Sequence, residues 1–166
     1  MSHAIERTVL CVFAGMFCLG LATAQTGDRQ QPLVATASQS SYSEAEQRQT
    51  LKGDVVISQG SMRVTADEIV VHLVDGAMSE LRATGTPVTF EQLDDAGRRV
   101  HGEAESVTYI ADSGDIELTG NASLTNPEQS LRAESIHYNL NSNASRAEGG
   151  ESGEVNIVIQ PATSEQ

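Results

Sequence analysis

The feature that most constrains this fold is a six-residue segment that recurs along the chain. Residues 133–138 read AESIHY and residues 104–109 read AESVTY, while residues 66–71 (ADEIVV) keep the same layout. Residues 37–42 (ASQSSY) are a degenerate first copy. A second, glycine-containing element follows each copy at a nearly constant offset. Its glycines are Gly53, Gly85, Gly120 and Gly149. Such a repeat predicts stacked units, each of which covers the apolar face of its neighbour.

Within each unit, apolar and polar residues alternate with a period of two, which is the pattern of a strand with one buried face. Val107 and Tyr109, for example, alternate with Thr108. A helical stripe is absent after residue 25, apart from a weak helix candidate at 43–48. The predicted second strands of the units include 54–59, 88–93, 116–118 and 154–160. The pattern predicts an all-β domain of about a dozen or more short strands, arranged as an elongated β-solenoid or open jelly roll.

The first 24 residues have the pattern of a cleaved secretory signal peptide. Arg7 precedes an uncharged apolar run, and Ala22-Thr23-Ala24 supplies the small-residue cleavage pattern. The alternative is a membrane anchor, for which the apolar run is short. Cleavage would remove both cysteines, Cys11 and Cys18, so no thiol and no disulfide is expected in the mature chain. We expect flexible ends at 25–32 and 161–166 around one domain that spans 33–160.

The charge and the residue types exclude several classes of function. Ten Lys and Arg against 23 Asp and Glu give a net charge of −13, which argues against binding nucleic acid. His101 is expected at a charged loop edge, while His72 and His137 fall on the outward parity of their strands, so no metal site is predicted. Glu103 and Glu105 lie on one strand face, but paired carboxylates are frequent in polar repeats. We therefore expect neither an enzyme nor a cofactor.

Several segments together resemble the OstA-like repeat of the lipopolysaccharide-transport family. The most specific is GDVVISQGSMRVTADEIVV at residues 53–71, and 85–90, 102–109 and 118–122 also match. The resemblance implies a twisted β-jelly roll, open along one side, in a periplasmic protein that is not an enzyme. It also implies a bridge that carries lipopolysaccharide between inner-membrane LptC-like and outer-membrane LptD-like proteins of similar fold.

The inward strand face is the candidate site for acyl chains. The predicted lipid-binding residues are Leu33, Val88, Phe90, Val107, Tyr109, Ala111, Ile136 and Tyr138. Four of them, namely Leu33, Phe90, Tyr109 and Ala111, are assigned by the resemblance to positions that line the lipid path in the family. The alternative interpretation is that these side chains simply fill a closed core.

The first and last strands are candidate edges for assembly, because no further repeat follows to pair with them. The predicted edge residues are Leu33, Val34, Val155, Ile157, Val158 and Ile159. Val158 is the expected backbone donor at the C-terminal edge, and head-to-tail oligomers are predicted. The alternative function is a secreted structural or adhesive β-repeat module that binds a protein or sugar on its outer surface.

Overall fold

The computed structural model describes residues 30–94 and 96–160, which form one antiparallel sheet of ten strands. The strands are β1 (Val34–Thr36), β2 (Gln39–Ser43), β3 (Arg48–Gln59), β4 (Met62–Val74), β5 (Ala77–Leu93), β6 (Arg99–Ile110), β7 (Asp115–Thr125), β8 (Gln129–Asn139), β9 (Ala144–Glu148) and β10 (Asn156–Ile159). A 3₁₀ helix, Gly150–Ser152, connects β9 to β10. Within these ranges no helix is long and apolar enough to cross a membrane.

The strand order is β1-β3-β4-β5-β6-β7-β8-β10, with β2 paired to β3 and β9 paired to β8. Every pairing is antiparallel. Sequential strands are therefore neighbours from β3 to β8, as expected of hairpins that follow one another along the chain. The signal-peptide prediction and the 161–166 tail lie outside the described residues.

A line of bulges folds this sheet along its middle. The strand register shifts between Lys52 and Val55 in β3 and between Thr119 and Ala122 in β7, and comparable shifts interrupt the ladders of β4, β5 and β6. Gly53 lies at one of these bulges with φ +77° and Gly120 at another with φ +82°, a conformation that glycine adopts without steric cost. We call this line the crease.

The crease separates two layers, which we call layer one and layer two and define by their strands. Layer one contains β1, β10 and the parts of β3 to β8 that pair between them. These parts are 55–59, 62–66, 88–93, 99–104, 122–125 and 129–133. Layer two contains β2, β9 and the other half of each long strand. The hairpin turns of both layers lie on the side opposite the crease, and we call that side the mouth.

The two layers pack face to face around one hydrophobic core. Phe90 of layer one and Tyr109 of layer two have ring centroids 6.2 Å apart. Gly102 of layer one lies so close to Leu118 of layer two that an added Cβ would be 2.6 Å from the leucine Cδ2. The buried apolar residues of both layers belong to a single cluster. The all-β jelly-roll prediction is therefore confirmed.

The expected number and length of the strands were wrong. Instead of a dozen or more short strands, the described residues contain ten, and β3 to β8 have 11 to 17 residues each. The reason is that the predicted strands 54–59 and 116–118 stop beside Gly53 and Gly120, whereas these glycines form bulges within continuous strands. Residues 44–47 form the β2–β3 turn rather than a helix, and the last strand covers 156–159 instead of 154–160.

Candidate functional site

The predicted inward residues lie where the period-two pattern placed them, in the space between the layers. Seven are at most 4% exposed and belong to the common core. They are Val88, Phe90, Val107, Tyr109, Ala111, Ile136 and Tyr138. In this structure they contact one another and other core residues, which is the closed-core arrangement. Their contact with an acyl chain stays a prediction, and it would require the two layers to separate.

Leu33 differs from this group because it lies at an open cleft. The cleft has a volume of about 460 Å³ and runs along the mouth in the N-terminal half, between layer one near β1 and the β4–β5 turn of layer two. Its apolar lining residues are Pro32, Leu33, Ala35, Leu51, Val71, Leu73, Ala77 and Met78. Gln31, Gln49 and Gln59 add amide groups, and Gly76 completes the lining. Leu51 and Val71 are also core residues, so the cleft is continuous with the interior.

Several cleft residues were missed by the sequence analysis. Leu51 and Met78 are inward residues of β3 and β5. Leu51 lies in the glycine-containing repeated element but was not assigned to the site, and Met78 lies outside the repeated segments. Tyr42 does not line the cleft, but it was also missed as an inward residue because its repeat copy is degenerate. Tyr42 pairs with Gln49 in the β2–β3 ladder and therefore shares the inward face with it, while remaining 53% exposed.

The mouth is closed in the C-terminal half by polar side chains. The Gln129 side chain of β8, in layer one, donates from Nε2 to the Ser145 hydroxyl of β9, in layer two, at 3.0 Å. The buried Tyr138 hydroxyl donates to Oδ1 of Asn143 at 2.9 Å. Burial raises the pKa of Tyr138 and the nearby Asp94 carboxylate raises it further, while a hydrogen bond with the Asn126 side chain lowers it.

A buried carboxylate organises the neighbouring turn of layer one. Asp94 accepts hydrogen bonds from the backbone N–H groups of Ala96 and Arg98, and from Nε of Arg98, each at 2.9 Å. Arg98 also contacts Glu128, which precedes β8, so it joins two successive turns. Burial alone would raise the pKa of Asp94, but the hydrogen bonds from Arg98 and Ala96 outweigh it and lower the pKa.

The outer strands of layer one leave apolar residues uncovered at the ends of the sheet. Val34 on β1 and Ile157, Val158 and Ile159 on β10 are all more than half exposed, and Val155 just before β10 is 36% exposed. In the β8–β10 ladder, Ile157 and Ile159 pair with Leu131 and Gln129, so their side chains point inward. Val158 pairs with Ser130 and points outward.

The hydrogen-bond pattern of β10 corrects the expected role of Val158. The N–H of Gln160 donates to the carbonyl of Glu128. Because hydrogen-bonded pairs alternate along an antiparallel ladder, Val158 also directs its N–H toward β8. Ile157 and Ile159 therefore direct their N–H groups away from β8, toward the uncovered edge. The backbone donors available to a further strand belong to these two isoleucines rather than to Val158.

The charged side chains form surface pairs instead of a metal site. His101 lies within β6, not at a loop edge as expected, with a ring nitrogen 3.2 Å from Glu91 and the other 3.2 Å from Glu103. His137 is 3.3 Å from Asp115 on the outer face. Among the described residues, no group of three His, Cys, Asp or Glu side chains could hold a metal ion.

These features define an elongated two-layered β-jelly roll with an apolar interior that is open at one part of its mouth. The chain belongs to the LptA/(LptD N-terminal domain) family of LPS transport proteins, whose family model matches residues 35–144. It is 30% identical to the lipopolysaccharide export system protein LptA of Haemophilus influenzae over 165 residues, which are 98% of this chain and 96% of that protein.

Two further comparisons agree with this assignment. LptA of Escherichia coli K12 is 29% identical over 143 residues, covering 85% of this chain and 77% of that protein. The crystal structure of LptH, the LptA-homologous periplasmic component of the lipopolysaccharide transport device of Pseudomonas aeruginosa, superposes with a TM-score of 0.73. The superposition covers 81% of this chain and 99% of the LptH chain at 20% identity, so it supports the fold.

Proposed function

We infer that this protein binds lipopolysaccharide in the periplasm and bridges the inner-membrane export complex and the outer-membrane translocon. The observation that carries this proposal is the apolar cleft at Leu33 and Leu51, which is continuous with the interior between the layers. Family membership supports the same ligand, because the curated relatives are lipopolysaccharide export proteins. The relatives are named as export proteins and not as enzymes, which supports a carrier without a catalytic role.

The energetics favour acyl chains as the part of the ligand that enters the protein. Burying one CH₂ group contributes about 0.8 kcal/mol, so several tens of methylenes are strongly favourable. The net charge of −13 repels the phosphates of lipopolysaccharide, but salt screens that repulsion beyond about 8 Å. Because the acyl chains are the part of the ligand that gains from burial in an apolar interior, they lie between the layers, and the sugar and phosphate groups remain outside the mouth.

The predicted lipid-binding residues fit this proposal in two groups. Leu33 lines the cleft and would contact the ligand first. The buried group, which includes Phe90 and Tyr109, would contact acyl chains after the layers move apart. Separating the layers exposes apolar surface that the acyl chains then cover, so the ligand itself compensates for the lost core contacts.

The assembly proposal rests on the edges of layer one. Its path contains eight strands of alternating direction, so β1 and β10 run in opposite directions. A second copy in the same orientation can therefore place its β1 antiparallel to β10 of the first. The inward Ile157 and Ile159 would continue the apolar interior into the next copy. The same edges suit LptC-like and LptD-like partners of similar fold.

The proposed organisation of the precursor follows from its predicted localisation. Residues 1–24 act as a signal peptide that is removed on export, and residues 33–160 form the transport domain. An adhesive module that binds partners on its outer surface has no use for a cleft between the layers, so the cleft favours the carrier.

The test is native purification from the periplasm followed by mass spectrometry of the extracted lipid. Co-purifying lipopolysaccharide, and saturable uptake of added lipopolysaccharide by protein stripped of lipid, are the expected results. Protein that carries no lipid and takes up none would exclude the proposal. The intact mass of the same sample also reports whether residues 1–24 are absent.

A further inference from the structure

The two halves of the mouth differ in a way that the transport proposal does not explain. In the N-terminal half, the cleft separates Leu33 of layer one from Met78 of layer two. In the C-terminal half, Gln129 of layer one and Ser145 of layer two are joined directly by a hydrogen bond. A lipid whose acyl chains lie between the layers and whose headgroup lies outside must pass through the mouth. The Gln129–Ser145 contact crosses the mouth and would block that passage.

The register places this contact at the edge of the interior. Gln129 pairs with Ile159 and shares the inward face of β8 with Leu131. Ser145 pairs with Tyr138 on the inward face of β9. Both side chains therefore point toward the interior from opposite layers and meet at its outer rim. The contact itself is exposed to solvent, so other hydrogen-bonding groups can reach it.

Tyr138 lies beneath the same rim and connects it to the turns of layer one. Its hydroxyl donates to Asn143 in the β8–β9 turn of layer two. The side chains that influence its pKa, including Asp94 and Asn126, belong to turns of layer one. The hydroxyl is therefore bonded to layer two and is influenced electrostatically by layer one. We call Gln129, Ser145, Tyr138 and Asn143 the polar latch.

We propose that the polar latch closes the C-terminal half of the mouth, so that acyl chains admitted at the cleft advance toward β10 only after the latch opens. This inference rests on the proposed function. The hydroxyl groups of a glycolipid headgroup can replace the hydrogen bonds of Gln129 and Ser145, so an arriving ligand lowers the cost of opening. Beyond the latch, the inward side chains of Ile157 and Ile159 continue the apolar path.

The latch is weak enough to open in each transport cycle. Removing one solvent-accessible hydrogen bond of this kind changes an equilibrium by about two- to tenfold. Loss of the latch therefore accelerates the passage of lipid by a similar factor and leaves uptake at the cleft unchanged. A covalent link between the same positions has the opposite effect on passage and also leaves uptake unchanged.

The experiment compares locked and loosened proteins isolated from the periplasm. Gln129→Cys/Ser145→Cys is linked with a short bis-maleimide, and each single cysteine variant receives the same reagent as a control. Gln129→Ala/Ser145→Ala, which removes the hydrogen bond across the mouth, is the loosened protein. Each is loaded with radiolabelled lipopolysaccharide, and two quantities are measured: lipid bound per protein, and the rate of transfer to an excess of an affinity-tagged second copy.

We expect the locked protein to bind lipid but to transfer it no faster than spontaneous release, and the loosened protein to transfer it faster than wild type. Transfer by the locked protein at the wild-type rate would overturn the latch. Loss of uptake in the locked protein alone would also overturn it, because entry at the cleft should not depend on the latch. If no variant and no wild-type protein takes up lipopolysaccharide, the proposed function fails and the latch fails with it.

Discussion

Phe90 and Tyr109 belong to opposite layers of one folded sheet, yet their ring centroids are 6.2 Å apart and their planes are tilted by 45°. This distance lies within the range of favourable aromatic pairs. The contact is therefore part of what holds the layers together in the absence of ligand. An acyl chain that passes between the layers has to replace this contact. The two rings therefore stabilise the empty protein and move apart when a lipid is bound.

Leu33 and Val34 are adjacent residues with opposite orientations at the mouth. Leu33 lines the cleft, whereas Val34 is not among the lining residues and is 63% exposed. We expect Leu33→Asp to reduce the affinity for lipopolysaccharide by at least about tenfold, because an unpaired charge would face acyl chains. Val34→Asp, assayed under dilute conditions, is the matched control and should bind as wild type does. Equal binding by the two variants would mean that lipopolysaccharide does not bind at the cleft.

Gly102 is a position where the two layers lie very close together, and a single substitution there can test that packing. We expect Gly102→Ala to lower the free energy of unfolding by roughly 1–3 kcal/mol, because the new Cβ would collide with Leu118. Urea unfolding followed by circular dichroism measures this loss. In a Leu118→Ala background the same substitution should cost less, which gives a nonzero coupling energy in a double-mutant cycle. Additive effects would mean that the two side chains do not meet.

Asp94 makes the stability of the protein depend on pH. Its pKa is lower in the folded protein than the ordinary value of 3.8, so the ionised carboxylate stabilises the fold above that pH. This contribution is lost as the pH falls through the folded-state pKa. We expect Asp94→Asn to lower the free energy of unfolding by roughly 1.5–3 kcal/mol at pH 7. The difference from wild type should shrink below about pH 4; a constant difference from pH 7 to pH 3 would contradict the role of the charge.

Ile157 and Val158 offer a matched pair for the assembly edge. Ile157→Pro removes a backbone donor that faces away from β8, and we expect it to shift head-to-tail oligomers toward monomers with little loss of stability. Ile157→Ala controls for the lost side chain. Val158→Pro instead removes a bond to β8 and should detach β10 from the sheet. Light scattering over a concentration series and thermal unfolding distinguish the two effects; unchanged oligomers in Ile157→Pro would exclude edge pairing at β10.

Gln92 carries a buried amide oxygen that has no hydrogen-bond partner in the described part of the chain. An unsatisfied acceptor of this kind is costly, so we expect Gln92→Met to stabilise the protein by about 1 kcal/mol. Differential scanning calorimetry measures the change. Gln49→Met is the comparison, because the Gln49 amide donates hydrogen bonds to Ser40 and Ser41, and its loss should be neutral or destabilising. A destabilised Gln92→Met variant would indicate that the amide is satisfied in solution.

The alternation in the sequence predicted which side chains face the interior, because strand parity is a local property. Phe90 and Tyr109 were assigned correctly for that reason. The crease was not predicted, since Gly53 and Gly120 look the same in a sequence whether they end a strand or bend it. The cleft was missed as a result. Leu51 and Met78 of layer two face Leu33 of layer one only because the sheet is folded at the crease, and that fold was not predicted.

Because of the crease, the length of the molecule along its axis depends simply on the number of long strands in the sheet. Since each long strand contributes to both layers, inserting one hairpin would lengthen both equally, by about 9–10 Å along the axis. No existing pairing except the one at the insertion point would have to change. An inserted pair would also preserve the opposite directions of β1 and β10, whereas a single extra strand would make them run the same way. Lineages that need a different span can therefore gain or lose material in steps of two strands.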